Sequence, residues 1–247
     1  MTDVLPALHL GGAEATKDLL EMCRLGPETS VLDVGCGAGQ TACEISKRYG
    51  SRVMGIDISD VMIKKAVERA KKEGVDDKVD FRVADAFQLP FDDGSYDVAI
   101  FESVLTPLPG NKIDALRETF RILSPGGLVG ANETVFFPSA PSELLDLADE
   151  HPAIHGMFMP ETLRSLFEES GLQVIELTEM RSSEAPSVVK EMGVRGILSF
   201  MIRSYWKILM KMLTDPRFRK AQKIDDKLTK ILKDHGGYVL IVGQKPP

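Results

Sequence analysis

The sequence predicts an α/β fold wound on both faces of a mostly parallel sheet. Short β-rich apolar runs alternate regularly with amphipathic helical segments from about residue 13 to residue 135. The first of these runs empties into a glycine-rich turn, GCGAG at residues 35–39. The second ends on an acid, Asp57.

In chain order, residues 13–24 place Ala15, Leu19 and Met22 on one helical face, and Gly26 with Pro27 stops that helix. Residues 30–33 form a short strand before the glycine turn, and residues 40–48 form the helix after it. Residues 52–56 read as a strand, 61–72 as an amphipathic helix, 79–83 and 96–101 as strands, and 113–123 as a helix. SPGG at 124–127 reads as a turn, and 128–135 as a fifth strand. Beyond Pro138 the alternation breaks. Proline-rich loops lead to a short helix at 160–170 and a strand at 173–177. A long helical stretch follows at about 186–233, and a closing strand at 238–242. The expected organisation is therefore one domain, residues 1–180 with 236–247, and a helical insert at 181–235 before the last strand.

At 247 residues and 43% apolar, the chain can build a core without disulfides or metals. Cys23, Cys36 and Cys43 form neither a disulfide framework nor a CxxC pair, which suits a reducing, cytoplasmic setting. Asp3 and Pro6 interrupt any leader-like run, and no stretch is long and apolar enough to span a membrane. The net charge of −7 argues against general nucleic-acid binding. Charge is unevenly spread: residues 181–235 hold 13 basic and 6 acidic side chains, so the remainder is more acidic than the whole.

Three strand ends point to a nucleotide pocket. Glycines after the first strand let a ligand approach the backbone. Asp57, at the end of the second, can accept hydrogen bonds from both ribose hydroxyls, and Asp85, after the third, can accept from an adenine amino group. The spacing is GxGxG, with Gln40 where a dinucleotide fingerprint would have its third glycine, and no phosphate-loop lysine follows. An acid, Asp33, lies two residues before the turn. It suits an ammonium or sulfonium better than a pyrophosphate. Spacing and charge together favour S-adenosylmethionine over a nicotinamide cofactor.

VLDVGCGAGQTA (31–42), VMGIDIS (53–59), VADAFQLPFDDGSYDVAI (83–100) and ILSPGGLV (122–129) follow one another in order. This set resembles the signature segments of the class I S-adenosylmethionine-dependent methyltransferases, over roughly residues 30–135. The resemblance implies a seven-stranded Rossmann-like sheet whose last strand is antiparallel, which residues 238–242 suit. It also implies that Gly35, Gly37 and Gly39 line the methionine part of the cofactor and that Asp33 orients its amino group. Asp57 would hold the ribose, Ile58 pack on adenine, and Asp85 with Ala86 border the base. Gly11 and Gly12, in HLGG at 9–12, resemble a loop that closes over the methionine moiety in some small-molecule methyltransferases.

Methyl transfer from a sulfonium needs alignment and a dry pocket more than reactive side chains. Glu102, just past the fourth strand, is a candidate to orient the substrate, accept its proton or touch the cofactor; it also reads as an ordinary strand-end acid. His155, and near it His151, are candidate bases after the fifth strand. Neither Glu102, Asn132 nor Glu133 comes with the aspartates expected of a metal site, so no metal is expected. No NPPY-like segment is present, which argues against nucleobase or glutamine acceptors. The expected activity is methylation of a small-molecule acceptor, S-adenosylhomocysteine being the by-product. Alternatives are a quinone-like or lipid acceptor, or a non-catalytic module that binds S-adenosylmethionine. In the insert, Ile197, Met201, Tyr205, Ile208 and Met212 share an apolar helical face, and Arg203, Lys207 and Lys211 form a basic stripe. That segment reads as a cap, a lid or a dimer contact, with peripheral membrane contact as a further option. The chain is expected to act as a monomer or homodimer.

Overall fold

The computed structural model describes residues 11–150, 156, 158–182 and 216–247. Seven strands form one sheet: β1 (Ser30–Val34), β2 (Arg52–Asp57), β3 (Val79–Val83), β4 (Tyr96–Glu102), β5 (Leu123–Phe136), β6 (Gln173–Arg181) and β7 (Gly236–Gln244). Their spatial order is β3-β2-β1-β4-β5-β7-β6. The first five pair in parallel, and β7 runs antiparallel between β5 and β6. The expected mostly parallel sheet with an antiparallel last strand is observed, with β1 and β4 side by side in its middle.

Among the described residues the helices are α1 (Gly12–Met22), α2 (Gln40–Tyr49), α3 (Asp60–Glu73), α4 (Lys112–Ile122), α5 (Glu143–Glu150), α6 (Pro160–Glu169) and α7 (Pro216–His235). Strand pleating divides the core in two. Val31, Val98, Ile100, Leu240 and Val242 pack with Leu19, Leu20, Ile45 and Ala70 of α1, α2 and α3. Leu32, Val34, Ala99, Phe101, Val129 and Ile241 pack with Leu116 of α4 and with Leu163 and Phe167 of α6. A smaller cluster joins Leu144 and Leu147 of α5 to Ile224 and Leu228 of α7, beside Phe136.

Two differences from the sequence reading have local causes. SPGG at 124–127 lies within β5 rather than in a separate turn: Leu123 pairs with Tyr96 before the register shifts to Val98 and Leu128. The helix α5 was not expected. Its sequence ELLDLADE is short and acid-rich, and its apolar stripe becomes legible only against α7. Of the long helix expected at 186–233, the described part is α7; the residues between 183 and 215, with Met201, Tyr205 and Trp206, lie outside the described residues.

The cysteines are all buried and unbridged. Cys23 seats α1 on β5, where Gly130 leaves room for it: a Cβ at Gly130 would overlap Cys23 Sγ and come 3.2 Å from Leu19 Cδ1. Gly130→Ala should therefore destabilise the fold by about 1–3 kcal/mol in chemical denaturation, as overpacking does. Adding Cys23→Ala, which opens the same space, should recover most of that loss. A Gly130→Ala variant as stable as the parent would refute this packing account.

Candidate active site

Parallel strands deliver their carboxyl ends to one edge of the sheet, and a cavity of about 350 Å³ opens there. Val34 and Gly35 line it from the end of β1, Asp57 and Ile58 from the end of β2, and Asp85, Ala86 and Phe87 from the segment after β3. Ser103, Val104, Pro107, Leu108 and Pro109, after β4, make the opposite wall. Ile58 is 75% exposed, a large apolar side chain left uncovered at the rim. It offers a flat apolar surface to a ligand.

The acids differ sharply in their settings. Asp57 Oδ2 accepts from the Gly37 N–H at 3.0 Å, and Oδ1 accepts from the Ser59 N–H at 2.8 Å. Each oxygen of a carboxylate has capacity for a second bond, so Asp57 can brace the glycine turn and still receive ligand hydroxyls. Asp85 Oδ1 accepts from the Phe87 N–H at 3.0 Å, which shapes the turn after β3. Asp33 is only 2% exposed, and its Oδ2 has no hydrogen-bond partner among the described residues. Burial, reinforced by the nearby Glu102 carboxylate, raises its pKa well above the ordinary value, against the opposing effect of the Ala42 N–H. A buried acceptor of this kind gains from a cationic partner.

The three turn glycines have different jobs. A Cβ on Gly35 would lie 2.7 Å from Val104 Cγ2, and one on Gly39 would lie 2.7 Å from the Phe81 ring and 2.9 Å from Ala66 Cβ. Both positions are closed by the protein itself. A Cβ on Gly37 meets nothing within 4 Å, so this glycine faces open space.

Glu102 does not appear among the residues lining the cavity. Its carboxylate accepts from Thr16 Oγ1 of α1 at 2.8 Å and from Thr41 Oγ1 of α2 at 2.5 Å. Those helices cover the face that Val98 and Ile100 share with it by strand alternation. Glu133 takes the other face. It accepts from the N–H groups of Val104 at 2.8 Å, Leu105 at 2.7 Å and Thr106 at 3.2 Å, and from Thr106 Oγ1 at 2.9 Å. The pleat thus sends Glu102 and Glu133 to opposite faces of the sheet. Among the described residues no group of three His, Cys, Asp or Glu could hold a metal ion.

Gly11 is the N-cap of α1, at φ 89°, and a Cβ there would lie 2.7 Å from the Tyr238 ring; Gly12 is the first residue of that helix. Both lie one turn before Thr16, whose hydroxyl reaches Glu102. His151 and His155 lie outside the described residues. Sequence reasoning missed Ser103 and the partners of Glu133. Ser103 has φ 55°, in the left-handed region that costs a non-glycine residue about 1–2 kcal/mol. Its one legible signal was its place after the acid that ends β4.

The glycine geometry makes a divided expectation. Gly37→Val should abolish cofactor binding, measured by calorimetry, with a modest loss of stability from its positive φ. Gly39→Val should lower thermal stability far more, because its side chain collides with Phe81 and Ala66. Equal stability losses in the two variants, or an intact affinity in Gly37→Val, would contradict the assignment.

Comparison with known proteins fits this geometry. Residues 31–127 match the model of a methyltransferase domain. An uncharacterized protein of Haemophilus influenzae is 28% identical over 86% of this chain and 89% of its own length. The methyltransferase GfsG of Streptomyces halstedii is 31% identical over 71% of this chain, which covers 64% of that protein. The 27-O-demethylrifamycin SV methyltransferase of Amycolatopsis mediterranei is 36% identical over 50% of this chain and 45% of its own length. The chain thus spans less than two thirds of both named methyltransferases. In fold, the crystal structure of the cyclase SpnF superposes with a TM-score of 0.77 at 23% identity, covering 98% of this chain and 88% of the other. The ordered segments, the sheet and the matched domain agree: the chain belongs to the class I S-adenosylmethionine-dependent methyltransferases.

Proposed function

We propose that this chain transfers a methyl group from S-adenosylmethionine to a small, largely apolar acceptor by in-line displacement. The observation that carries this reading is the cavity in which the ends of β1, β2 and β4 and the turn after β3 meet. S-adenosylmethionine, when bound, supplies the electrophilic methyl carbon.

The chain's own residues bind and align. Asp57 keeps lone-pair capacity for ribose hydroxyls beyond its two backbone bonds. Ile58 packs on one side of the adenine, Ala86 and Phe87 border it, and Asp85 accepts from its amino group. Asp33 is the buried acceptor that suits the ammonium; Gly37 lets the ligand approach the backbone, while Gly35 and Gly39 keep the turn tight against Val104, Phe81 and Ala66. Glu102 bonds to two threonine hydroxyls, which favours a role in holding α1 and α2 and supplying negative charge beside Asp33 over proton abstraction. Where an acceptor carries a proton, His155 is the candidate to take it.

Val104, Pro107, Leu108 and Pro109 make the wall after β4 apolar, which supports an apolar acceptor. The relative named for 27-O-demethylrifamycin SV supports a small molecule in that role. The contact between α5 and α7, beside Phe136 near the end of β5, supports reading the helical insert as a cap over the acceptor. Buried, unbridged cysteines support a cytoplasmic setting, and no described helix is long and apolar enough to cross a membrane.

Labelled-methyl transfer to a panel of small apolar acceptors tests the reaction, and Asp57→Ala tests the site. Charged hydrogen bonds contribute about 1.5–3 kcal/mol each, so the variant should bind S-adenosylhomocysteine at least about tenfold more weakly in calorimetry. Unchanged affinity would sink the ribose assignment. Cofactor binding with no transfer to any acceptor in the panel would favour a non-catalytic module.

A further inference from the structure

The wall between β4 and α4 is held at both ends by buried charges that the proposed chemistry does not use. At its start, Glu133 accepts three successive backbone N–H groups and one hydroxyl. At its end, Lys112, only 7% exposed, donates to the carbonyls of Leu108 and Gly110. Between the clamps lie Val104, Pro107, Leu108 and Pro109, which face the cavity. Directly before the Glu133 contacts lies Ser103, with its backbone at φ 55° and a buried hydroxyl that has no hydrogen-bond partner among the described residues. Its own N–H donates to the Asn132 carbonyl at 2.8 Å. A strained, non-glycine turn persists only where its surroundings over-determine it. Four bonds to one buried carboxylate supply that determination.

We propose that Glu133 is a positioning residue: by gathering the N–H groups of Val104, Leu105 and Thr106 it holds Ser103 in its strained turn and sets the cavity wall against which the cofactor is aligned. The proposal rests on reading this cavity as the cofactor site. It differs from a purely structural role in one respect, which is that the clasp is tunable. Burial pushes the Glu133 pKa up to about 7. Above that pH the ionised carboxylate accepts all four bonds. Below it the carboxyl carries a proton that only the Thr106 hydroxyl could accept, by giving up its own donation, and the neutral oxygens hold the three N–H groups more weakly. The clasp therefore loosens as pH falls through about 7. From α4, Lys112 is the charged group that feels the Glu133 carboxylate, which opposes the effect of burial on the lysine. Residues 103–111 contain no titratable side chain, the β7 register partner is Val239, and Glu102 of β4 lies on the opposite face.

The test uses Glu133→Gln, Thr106→Val and the double variant Ser103→Gly with Glu133→Gln, with S-adenosylhomocysteine as the probe. Amide exchange reads the clasp, and calorimetry between pH 6 and 8 reads positioning. Glu133→Gln should speed exchange at residues 104–106 and weaken binding by about tenfold at pH 8, with the inflection near 7 lost. Adding Ser103→Gly should restore much of the affinity, because glycine adopts that turn without strain. Thr106→Val, a milder change that keeps the proposal testable if Glu133→Gln fails to fold, removes one bond to the charged form and should move the inflection to higher pH. Wild-type affinity and pH profile in Glu133→Gln, despite faster exchange, would overturn the positioning role. An inflection that stays in place in Thr106→Val would also overturn it. A wild-type protein that does not bind S-adenosylhomocysteine would overturn the cofactor reading itself and the proposal with it.

Discussion

Parallel pairing of β1 with β2 on one side and β4 on the other brings three carboxyl ends together, and the site depends on that arrangement. Asp33 pairs in register with Gly55 and Ile100, and Val34 with Ile56 and Phe101. The next residues along each strand, Gly35, Asp57 and Glu102, then emerge at one edge. Parallel strands require crossover helices, and α2 and α3 begin at this same edge, directly after the glycine turn and Asp57. The cavity is thus a consequence of topology before any side chain is chosen.

Pleating then decides what each acid can do. Asp33 and Glu102 turn towards α1 and α2, where a threonine from each helix meets Glu102 and burial leaves Asp33 with an unanswered oxygen. Glu133 turns towards α4, where backbone donors satisfy it. A buried acid beside a second, half-buried one favours a cation, whereas one surrounded by N–H groups favours a fixed loop. Adjacent positions on neighbouring strands therefore serve different ends: Asp33 and Glu102 suit ligand charge, and Glu133 suits loop geometry.

Much of this was legible in the sequence, for identifiable reasons. The glycine turn, Asp57 and Asp85 follow apolar runs short enough to be strands, so their placement at strand ends could be read directly. The closing strand was visible because Tyr238–Val242 is continuously apolar, as a strand buried on both faces must be. Long-range partners could not be read. Thr16 and Thr41 lie 86 and 61 residues from Glu102, and nothing local marks them. The donors to Glu133 are backbone groups 27 to 29 residues away, invisible in any side-chain pattern. For the same reason Glu102 looked like a free strand-end acid, and Gly11 looked like part of a cofactor loop although it also seats α1 on Tyr238.

The claim on which the account turns is that the edge formed by β1, β2 and β4 is where S-adenosylmethionine binds. A crystal structure of the chain with S-adenosylhomocysteine tests it most directly. The account places the adenine against Ile58, the ribose hydroxyls on Asp57 and the amino group towards Asp33. A ligand bound away from Gly37 and Asp57, with those residues unchanged, would contradict it.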